Sequence, residues 1–374
     1  MPIFATAPVR IQPYFGYRSA TRLRIVARAL RARQPSFDTG GTLRAMRLML
    51  AQFLSHEKPG LPVSLEICAA DGTRETHEAM TDDEGYVHFD IQLGGEGWAL
   101  PGRTEWQSVV FRWENRHGSQ SVEGHVLVPG ADVTKAVISD VDDTIIETGI
   151  TGGVRQFLRN ARRVLAQLPK DRIAVPGADA FYTALGGGLA AEEAASVSAP
   201  GKHIPAPHRP FFYVSSSPYN LYSYLVAFMR LRGFPLGPLM LRDWGFDRRT
   251  FGKSSHGTHK RAAIDAIVEI YPDLRFALIG DDTQADLIAY GGVAEDYPDR
   301  IAAIFIRKAG EALSAEEQAA QEAIRTAGIP LWMGDSYAVE ADFLQSAGLA
   351  GEKDVEDIVE KTGKAAEVDK AASA

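Results

Sequence analysis

Three carboxylates within four positions directly follow the segment Ala-Val-Ile-Ser at residues 136–139, which we predict to be a buried strand. They are Asp140, Asp142 and Asp143. So many negative charges at the end of a buried strand are unfavourable unless a cation lies beside them. Asp140 and Asp142 are two residues apart, so in extended geometry their side chains face the same side and can converge on one Mg²⁺. The alternative is an acidic turn in which Asp143 caps a helix.

A second acidic cluster follows the apolar segment 276–279 and contains Asp281, Asp282 and Asp286. Gly280 precedes it, and we expect this glycine to let the backbone turn sharply. Parallel strands bring their carboxyl ends to one edge of a sheet, where ligands bind. Two acidic clusters at such an edge indicate a hard metal ion. Mg²⁺, which takes oxygen ligands and keeps waters for a phosphate substrate, fits this pattern.

Hydroxyl and ammonium groups complete the expected site. Ser215 follows the apolar segment 211–214, and a hydroxyl beside free backbone N–H groups at a helix start suits an anionic oxygen. Plain helix capping by the following serines is the alternative. Lys260 lies on the predicted helix before the second acidic cluster, where its charge would offset the carboxylates. Lys253 is the second candidate for this role, and a solvated lysine is the alternative for either.

The elements that must position these groups alternate between strand and helix after about residue 134. Short apolar segments separated by helical stretches are typical of a parallel sheet wrapped by helices, an α/β fold. The predicted strands are 136–141, 211–214, 238–241, 275–279, 301–306 and 329–333. The predicted helices include 218–232, closed by Gly233, then 258–271, and one that begins with a capping box at 314–317.

The first third of the chain has a different pattern. Short runs of alternating apolar and polar residues over 61–129, separated by turn residues, predict a small antiparallel β-sandwich. Residues 1–37 contain seven arginines and no acidic residue. Over 22–33 the arginines interleave with aliphatic residues, which favours a strand with an arginine-lined face. A basic amphipathic helix on a membrane is the alternative.

Domain boundaries follow from these patterns. We predict a β-rich domain at 1–133, an α/β domain at 134–349 with a cap insertion at about 145–210, and a flexible tail at 350–374.

Composition excludes several classes of protein. The 374 residues include 40 basic and 48 acidic side chains, a net charge of −8, which argues against a general nucleic-acid binder. A single cysteine, Cys68, excludes a disulfide framework and a cysteine-rich zinc site. Because no apolar run reaches the length of a membrane span, we expect no transmembrane segment. We expect a cytoplasmic protein, with peripheral membrane association as an open possibility.

Four motifs occur in the order found in a known superfamily. Asp-x-Asp-x-Thr at 140–144, Ser215, a helix-borne lysine and Gly-Asp-Asp-x-x-x-Asp at 280–286 resemble the haloacid-dehalogenase-like phosphatases. That resemblance implies a Rossmannoid parallel sheet with a small cap. Segments 137–145 and 213–222, with the pair His259-Lys260, more closely resemble the fungal actin-patch-associated phosphatidate phosphatase family and its bacterial relatives. Those bacterial members also place a small β-rich region ahead of the catalytic domain.

The resemblance implies Mg²⁺-dependent hydrolysis of a phosphate monoester through an aspartyl-phosphate, with phosphatidate at a membrane surface converted to diacylglycerol. It implies that Asp140 is the nucleophile, Asp142 the acid–base, Ser215 a ligand of a phosphoryl oxygen and Lys260 the neutralising cation, with Thr144 completing the catalytic motif. The metal ligands are expected among Asp140, Asp142, Asp281, Asp282 and Asp286. We expect these groups around one ion in a pocket open to solvent. A phosphatase of a small soluble ester and a non-enzymatic module that accepts phosphate on Asp140 are the alternatives.

Overall fold

The computed structural model describes residues 8–31, 56–141, 144, 178–187, 204–242, 255–282, 285–308, 312–337, 339 and 341–349. The chain divides into two compact units: the first contains the residues up to Asp132 and also Asn220–Tyr224, and the second contains most of the chain from Val133 onward. Each unit has its own sheet. Within the described ranges, no helix has the length and apolar character needed to cross a membrane.

The sheet of the first unit joins nine strands in one hydrogen-bonded network. They are β1 (Arg10–Pro13), β2 (Gly16–Arg18), β3 (Arg22–Arg31), β4 (His56–Glu57), β5 (Pro62–Cys68), β6 (Arg74–Met80), β7 (Tyr86–Gln92), β8 (Glu105–Asn115) and β9 (Gly118–Val128). A short 3₁₀ turn spans Glu96–Trp98. The main path runs β1-β3-β2-β9-β8-β5-β6, and β4 and β7 both pair with β3. β2 and β9 pair in parallel, while the other pairings are antiparallel. The mainly antiparallel sheet agrees with the prediction, and its folding into a two-layer sandwich stays a prediction.

Strand β3 shows why the arginine-rich segment is extended. Its arginines alternate with aliphatic residues, and Leu23 and Ile25 are each 1% exposed in the core. On the opposite face Arg22 and Arg24 both bind the Asp90 carboxylate of β7, with Nε to Oδ distances of 2.6 and 3.0 Å. The predicted strand is therefore confirmed through Arg31, where the described segment ends. The alternative of a membrane helix is wrong for these residues because helical spacing would remove the aliphatic side chains from one buried face.

The sheet of the second unit is parallel throughout its six strands. They are β10 (Lys135–Asp140), β11 (Phe211–Pro218), β12 (Leu239–Arg242), β13 (Arg275–Asp281), β14 (Ile301–Arg307) and β15 (Leu331–Gly334), in the order β12-β11-β10-β13-β14-β15. The helices are α1 (Ala178–Leu185), α2 (Tyr222–Arg232), α3 (Ser255–Ile270), α4 (Asp286–Asp296), α5 (Ala315–Thr326) and α6 (Ala341–Ser346), and 3₁₀ turns span Tyr219–Leu221 and Pro298–Arg300. The mixed α/β architecture with a parallel sheet is confirmed.

Central strands of this sheet are buried on both faces, which explains why they read as continuous apolar runs rather than as alternating patterns. Every residue of β11 is buried, and so is every residue of β10 after Lys135. The specific Rossmannoid assignment stays a prediction. Most of the predicted cap at about 145–210 lies outside the described residues, as does the tail at 350–374; α1 and residues 204–210 are the parts of the cap region that are described.

The predicted start of the second-strand helix is wrong by four residues. Helix α2 begins at Tyr222 rather than at Pro218, because the three serines and Pro218 continue strand β11, where Pro218 pairs with Arg242 of β12. The serines therefore do not cap this helix. At its other end Gly233 has a φ of 72°, the left-handed conformation expected of a helix-terminating glycine. The capping box is confirmed: the Ser314 hydroxyl accepts from the Glu317 N–H and the Glu317 carboxylate accepts from the Ser314 N–H.

Candidate active site

The register of the parallel sheet aligns the ends of three strands. Asp140, the last residue of β10, pairs with Val214 of β11, so Ser215 follows immediately beyond it. On the other side of β10, Ser139 pairs with Ile279 of β13, two residues before Asp281. The carboxyl edge of the sheet therefore carries groups from both acidic clusters. Sequence spacing alone predicts this convergence because in-register parallel strands end at one edge.

Three buried carboxylates meet at this edge. One oxygen from each of Asp140, Asp281 and Asp286 lies within 4.8 Å of the other two. Asp140 is 1% exposed, and the other two residues are fully buried. Such a cluster is strongly repulsive by itself, because burial weakens the screening that water supplies. A compensating positive charge is therefore required.

Lys260 of α3 supplies part of that charge. Its Nζ lies 2.8 Å from Asp140 Oδ1 and also binds Asp286 Oδ1. The side chain is 1% exposed, so this ammonium is committed to the cluster rather than to solvent. Three carboxylates and one ammonium leave a formal charge of −2. An all-oxygen donor set with this residual charge fits a hard divalent cation such as Mg²⁺.

Thr144 joins the two acidic clusters. Its Oγ1 lies 3.3 Å from Asp140 Oδ2 and 3.1 Å from Asp281 Oδ2. The single hydroxyl hydrogen can serve one of these carboxylates at a time. Thr144 is fully buried, so its contribution is to hold the carboxylates of separate strands at a fixed distance.

The protonation of the site follows from burial and charge together. Burial by itself would lower the pKa of Lys260, but the attraction of Asp140, Asp286 and Asp281 outweighs it and raises that pKa well above its usual value. Lys260 therefore stays charged. Burial raises the pKa of Asp286 to about 6, against the opposing effect of Lys260. A bound divalent ion would favour the ionised carboxylate.

Asp286 is positioned by a close approach between a strand and a helix. It is the first residue of α4, where the positive end of the helix dipole favours a carboxylate. Its Oδ2 accepts a hydrogen bond of 3.2 Å from the Asp281 N–H. A Cβ placed on Gly280 would lie 2.5 Å from Asp286 Oδ2 and 2.9 Å from the Tyr290 ring. Gly280 is an extended residue of β13, so it is needed for this approach rather than for the sharp turn that we expected.

Gly280→Ala is expected to cost about 1–3 kcal/mol of folding free energy, because the new methyl overpacks the site and displaces Asp286. We also expect Lys260 to lose its fixed position between the two carboxylates. Thermal unfolding and turnover measure both effects. Gly102→Ala, at an open position with no atom within 4 Å of the added methyl, should change neither. A Gly280→Ala protein as stable as wild type would contradict the close packing described here.

The other predicted site residues fall into three groups. Ser215 is fully buried at the same edge, and its Oγ accepts from the Ser217 N–H at 2.9 Å. Asp282 is half-buried and is not a member of the three-carboxylate cluster, so its role as a ligand stays a prediction. Asp142 and Lys253 lie outside the described residues, and their predicted roles are unchanged.

The expectation of a solvent-open pocket is wrong for the residues described. The side chains of Asp140 and Asp286 have no exposed surface, and Lys260 binds both of them.

Sequence reasoning missed two hydroxyl groups that donate to the backbone around the predicted nucleophile, and a third that lies beside one of them. The Ser139 Oγ donates to the Asp140 carbonyl at 2.6 Å and lies 2.6 Å from the Tyr182 hydroxyl. The Tyr337 hydroxyl donates to the Thr144 carbonyl at 2.8 Å. Tyr337 follows Thr144 by 193 residues. No local pattern signals such a contact, although Ser139 could have been suspected from its position beside Asp140.

Comparison with known proteins gives the site a context. Residues 135–308 match the family described as the catalytic domain of phosphatidate phosphatase APP1. The chain is 30% identical over 273 residues to phosphatidate phosphatase APP1 of Saccharomyces cerevisiae, which covers 70% of this chain. The chain spans about 40% of the length of that yeast protein.

The similarity of this chain to solved structures is remote. A β-glucuronidase of Parabacteroides merdae is 7% identical, with a TM-score of 0.29 over 87% of this chain and 47% of its own. A β-glucuronidase of Bacteroides uniformis is 7% identical, with a TM-score of 0.24 over 80% of this chain and 36% of its own.

The matched segment 135–308 contains Asp140, Lys260, Asp281 and Asp286, the four groups that form the charged cluster. Residues 135–308 therefore belong to the family of the phosphatidate phosphatase APP1 catalytic domain.

Proposed function

We propose that this protein is a Mg²⁺-dependent phosphatase that hydrolyses a phosphate monoester through an aspartyl-phosphate on Asp140, with phosphatidate as the substrate. The observation that carries the proposal is the convergence of Asp140, Asp281 and Asp286 within 4.8 Å, bridged by Lys260. Membership of the matched segment in the APP1 catalytic-domain family supports the choice of phosphatidate.

Asp140 is suited to nucleophilic attack because its neighbours hold its carboxylate in one orientation. Lys260 binds one carboxylate oxygen and Thr144 lies beside the other, so the rotation of the side chain is fixed. In the first step a carboxylate oxygen of Asp140 forms a bond to phosphorus while the bond from phosphorus to the ester oxygen breaks. Asp142 gives a proton to the departing alcohol, here diacylglycerol.

The second step returns the enzyme to its starting state. Water attacks the phosphorus of the aspartyl-phosphate, Asp142 takes up a proton from that water, and inorganic phosphate leaves as Asp140 regains its carboxylate. Throughout both displacements Lys260 holds positive charge next to the oxygens of Asp140. Positioning and charge neutralisation supply most of the rate in phosphoryl transfer.

Asp140, Asp281 and Asp286 are the described residues that could hold or orient the metal, and Asp142 and Asp282 are the further candidates. Bound Mg²⁺ would neutralise the negative charge of the phosphoryl group and of the carboxylates. The residual charge of −2 at the cluster is the reason to expect a divalent rather than a monovalent ion.

Removal of divalent metal is expected to abolish phosphate release, and excess Mg²⁺ is expected to restore it. Without the ion the phosphoryl group approaches a cluster of uncompensated charge, so we expect a loss of at least about 100-fold. The measurement is inorganic phosphate released after EDTA treatment, before and after Mg²⁺ is returned. Full activity in EDTA would contradict a metal-dependent reaction.

The substrate is tested in parallel assays. Vesicles containing phosphatidate are compared with glycerol 3-phosphate and p-nitrophenyl phosphate, with the Asp140→Asn protein as the blank. Release of phosphate from phosphatidate supports the full proposal. Release from the soluble esters alone would leave a phosphatase with a different substrate, and release from none of them would contradict the enzymatic function.

A further inference from the structure

A chain of buried hydroxyl groups encloses both ends of the predicted nucleophile turn. At one end the Asp140 carbonyl accepts from Ser139 Oγ, which lies 2.6 Å from the Tyr182 hydroxyl. At the other end the Thr144 carbonyl accepts from the Tyr337 hydroxyl at 2.8 Å. The rings of Tyr182 and Tyr337 are in edge-to-face contact, which links the two ends. The two carbonyls bracket positions 141–143, which include the predicted acid–base residue.

The number of hydroxyl hydrogens limits which of these contacts can be hydrogen bonds. Ser139, Tyr182 and Tyr337 carry one hydroxyl hydrogen each. The hydrogens of Ser139 and Tyr337 are given to the two backbone carbonyls. The remaining hydrogen, on Tyr182, is available to the Ser139 oxygen, 2.6 Å away. Loss of the Tyr182 hydroxyl therefore removes the hydrogen bond to Ser139 but leaves each carbonyl its donor.

Ring packing fixes the position of Tyr337. It is 1% exposed and stacks on Phe181, with ring centroids 5.0 Å apart and an angle of 16° between the planes. Trp332 of β15 also stacks with it, with centroids 6.5 Å apart and an angle of 17°. The ring of Tyr182, beside Phe181 on α1, meets Tyr337 edge to face at 6.0 Å. Rings held in this way can deliver a hydroxyl to a fixed point with little loss of entropy on each catalytic cycle.

We propose that Tyr182 and Tyr337 are positioning residues that hold the nucleophile turn in its reactive geometry through Ser139 and the carbonyls of Asp140 and Thr144. This inference rests on the proposed function. Neither tyrosine reaches the carboxylates directly, so their effect on Asp140 passes through the backbone. Tyr337 lies beyond the segment that matches the catalytic-domain family, which ends at residue 308. The part of the chain after residue 308 therefore contributes a residue, Tyr337, to the surroundings of the site.

The test compares three single tyrosine-to-phenylalanine variants and one double variant. Tyr337→Phe leaves the Thr144 carbonyl without its donor, and we expect kcat to fall about 5- to 20-fold with KM unchanged. Tyr182→Phe should lower kcat less. The double variant should fall by less than the product of the two single effects, because both act through one network. Tyr213→Phe is the matched control: its buried hydroxyl donates to the Pro235 carbonyl at 2.6 Å and not to a carbonyl of the turn, so kcat should not change.

A second measurement does not depend on activity. Amide hydrogen exchange of the peptide that carries Asp140 and Thr144 should be faster in Tyr337→Phe than in wild type and unchanged in Tyr213→Phe. Unchanged exchange in Tyr337→Phe would overturn the inference, whatever happens to kcat. A drop in kcat equal to that of Tyr213→Phe would overturn it as well. If wild-type protein hydrolyses no ester, the proposed function fails, and the exchange result alone decides whether these tyrosines hold the turn.

Discussion

Asp140→Asn is expected to reduce kcat for phosphatidate by at least about 10³-fold. An amide is a poor nucleophile towards phosphorus, so the aspartyl-phosphate cannot form. Asparagine has nearly the same shape as aspartate and keeps an oxygen that can accept from Lys260 or Thr144. Asp281 and Asp286 still balance the Lys260 charge. The loss should therefore be chemical rather than structural.

The control for this variant is Asp273→Asn, which changes an exposed aspartate of the same unit. We expect wild-type turnover from it. Circular dichroism and thermal unfolding establish that both variants are folded. If folded Asp140→Asn retained a tenth or more of the wild-type kcat, the nucleophile would be misassigned.

Lys260→Met is expected to lower both stability and activity. Without the ammonium, three carboxylates remain within 4.8 Å of one another in a buried site. Breaking a buried ion pair by removing one partner costs about 3–5 kcal/mol, which corresponds to a fall of about 10 °C in Tm for a unit of this size. We also expect kcat to fall at least about 100-fold, since the charge beside Asp140 is lost.

The effect of Mg²⁺ on this variant separates electrostatics from packing. Removing Lys260 changes the formal charge of the cluster from −2 to −3, so Mg²⁺ should raise the Tm of Lys260→Met more than that of wild type. A packing defect would not respond to the ion. Lys135→Met, at the opposite end of β10 and next to Arg209 and Arg275, should keep both wild-type stability and the wild-type response to Mg²⁺. Equal responses in wild type and Lys260→Met would contradict the charge balance proposed for the site.

The convergence of the acidic groups could be predicted from the sequence because it depends on local patterns. Each acidic cluster follows an apolar strand, and parallel pairing brings such strand ends together. The period-two pattern of β3 was likewise sufficient to choose a strand over a helix. Lys260 could be placed near the cluster only as one of two candidates, because helix phase depends on where α3 starts.

Other features depend on contacts that no local pattern encodes. The serines after Val214 continue β11 because Pro218 pairs with Arg242, a contact between distant segments. Gly280 looks like a turn glycine, but its role depends on the approach of Asp286 from the next helix. The Tyr337 hydroxyl binds the Thr144 carbonyl, although the two residues are 193 positions apart in the sequence.

Covalent trapping of the aspartyl-phosphate determines whether Asp140 is the nucleophile. Enzyme mixed with phosphatidate labelled on its phosphate is quenched in acid within one turnover, digested, and its peptides are mapped for the phosphoryl group. We expect the label on the peptide that contains Asp140 when Mg²⁺ is present. We expect no label without Mg²⁺ and none in the Asp140→Asn protein. Turnover with the label on a different peptide, or with no covalent label at any quench time, would contradict this assignment.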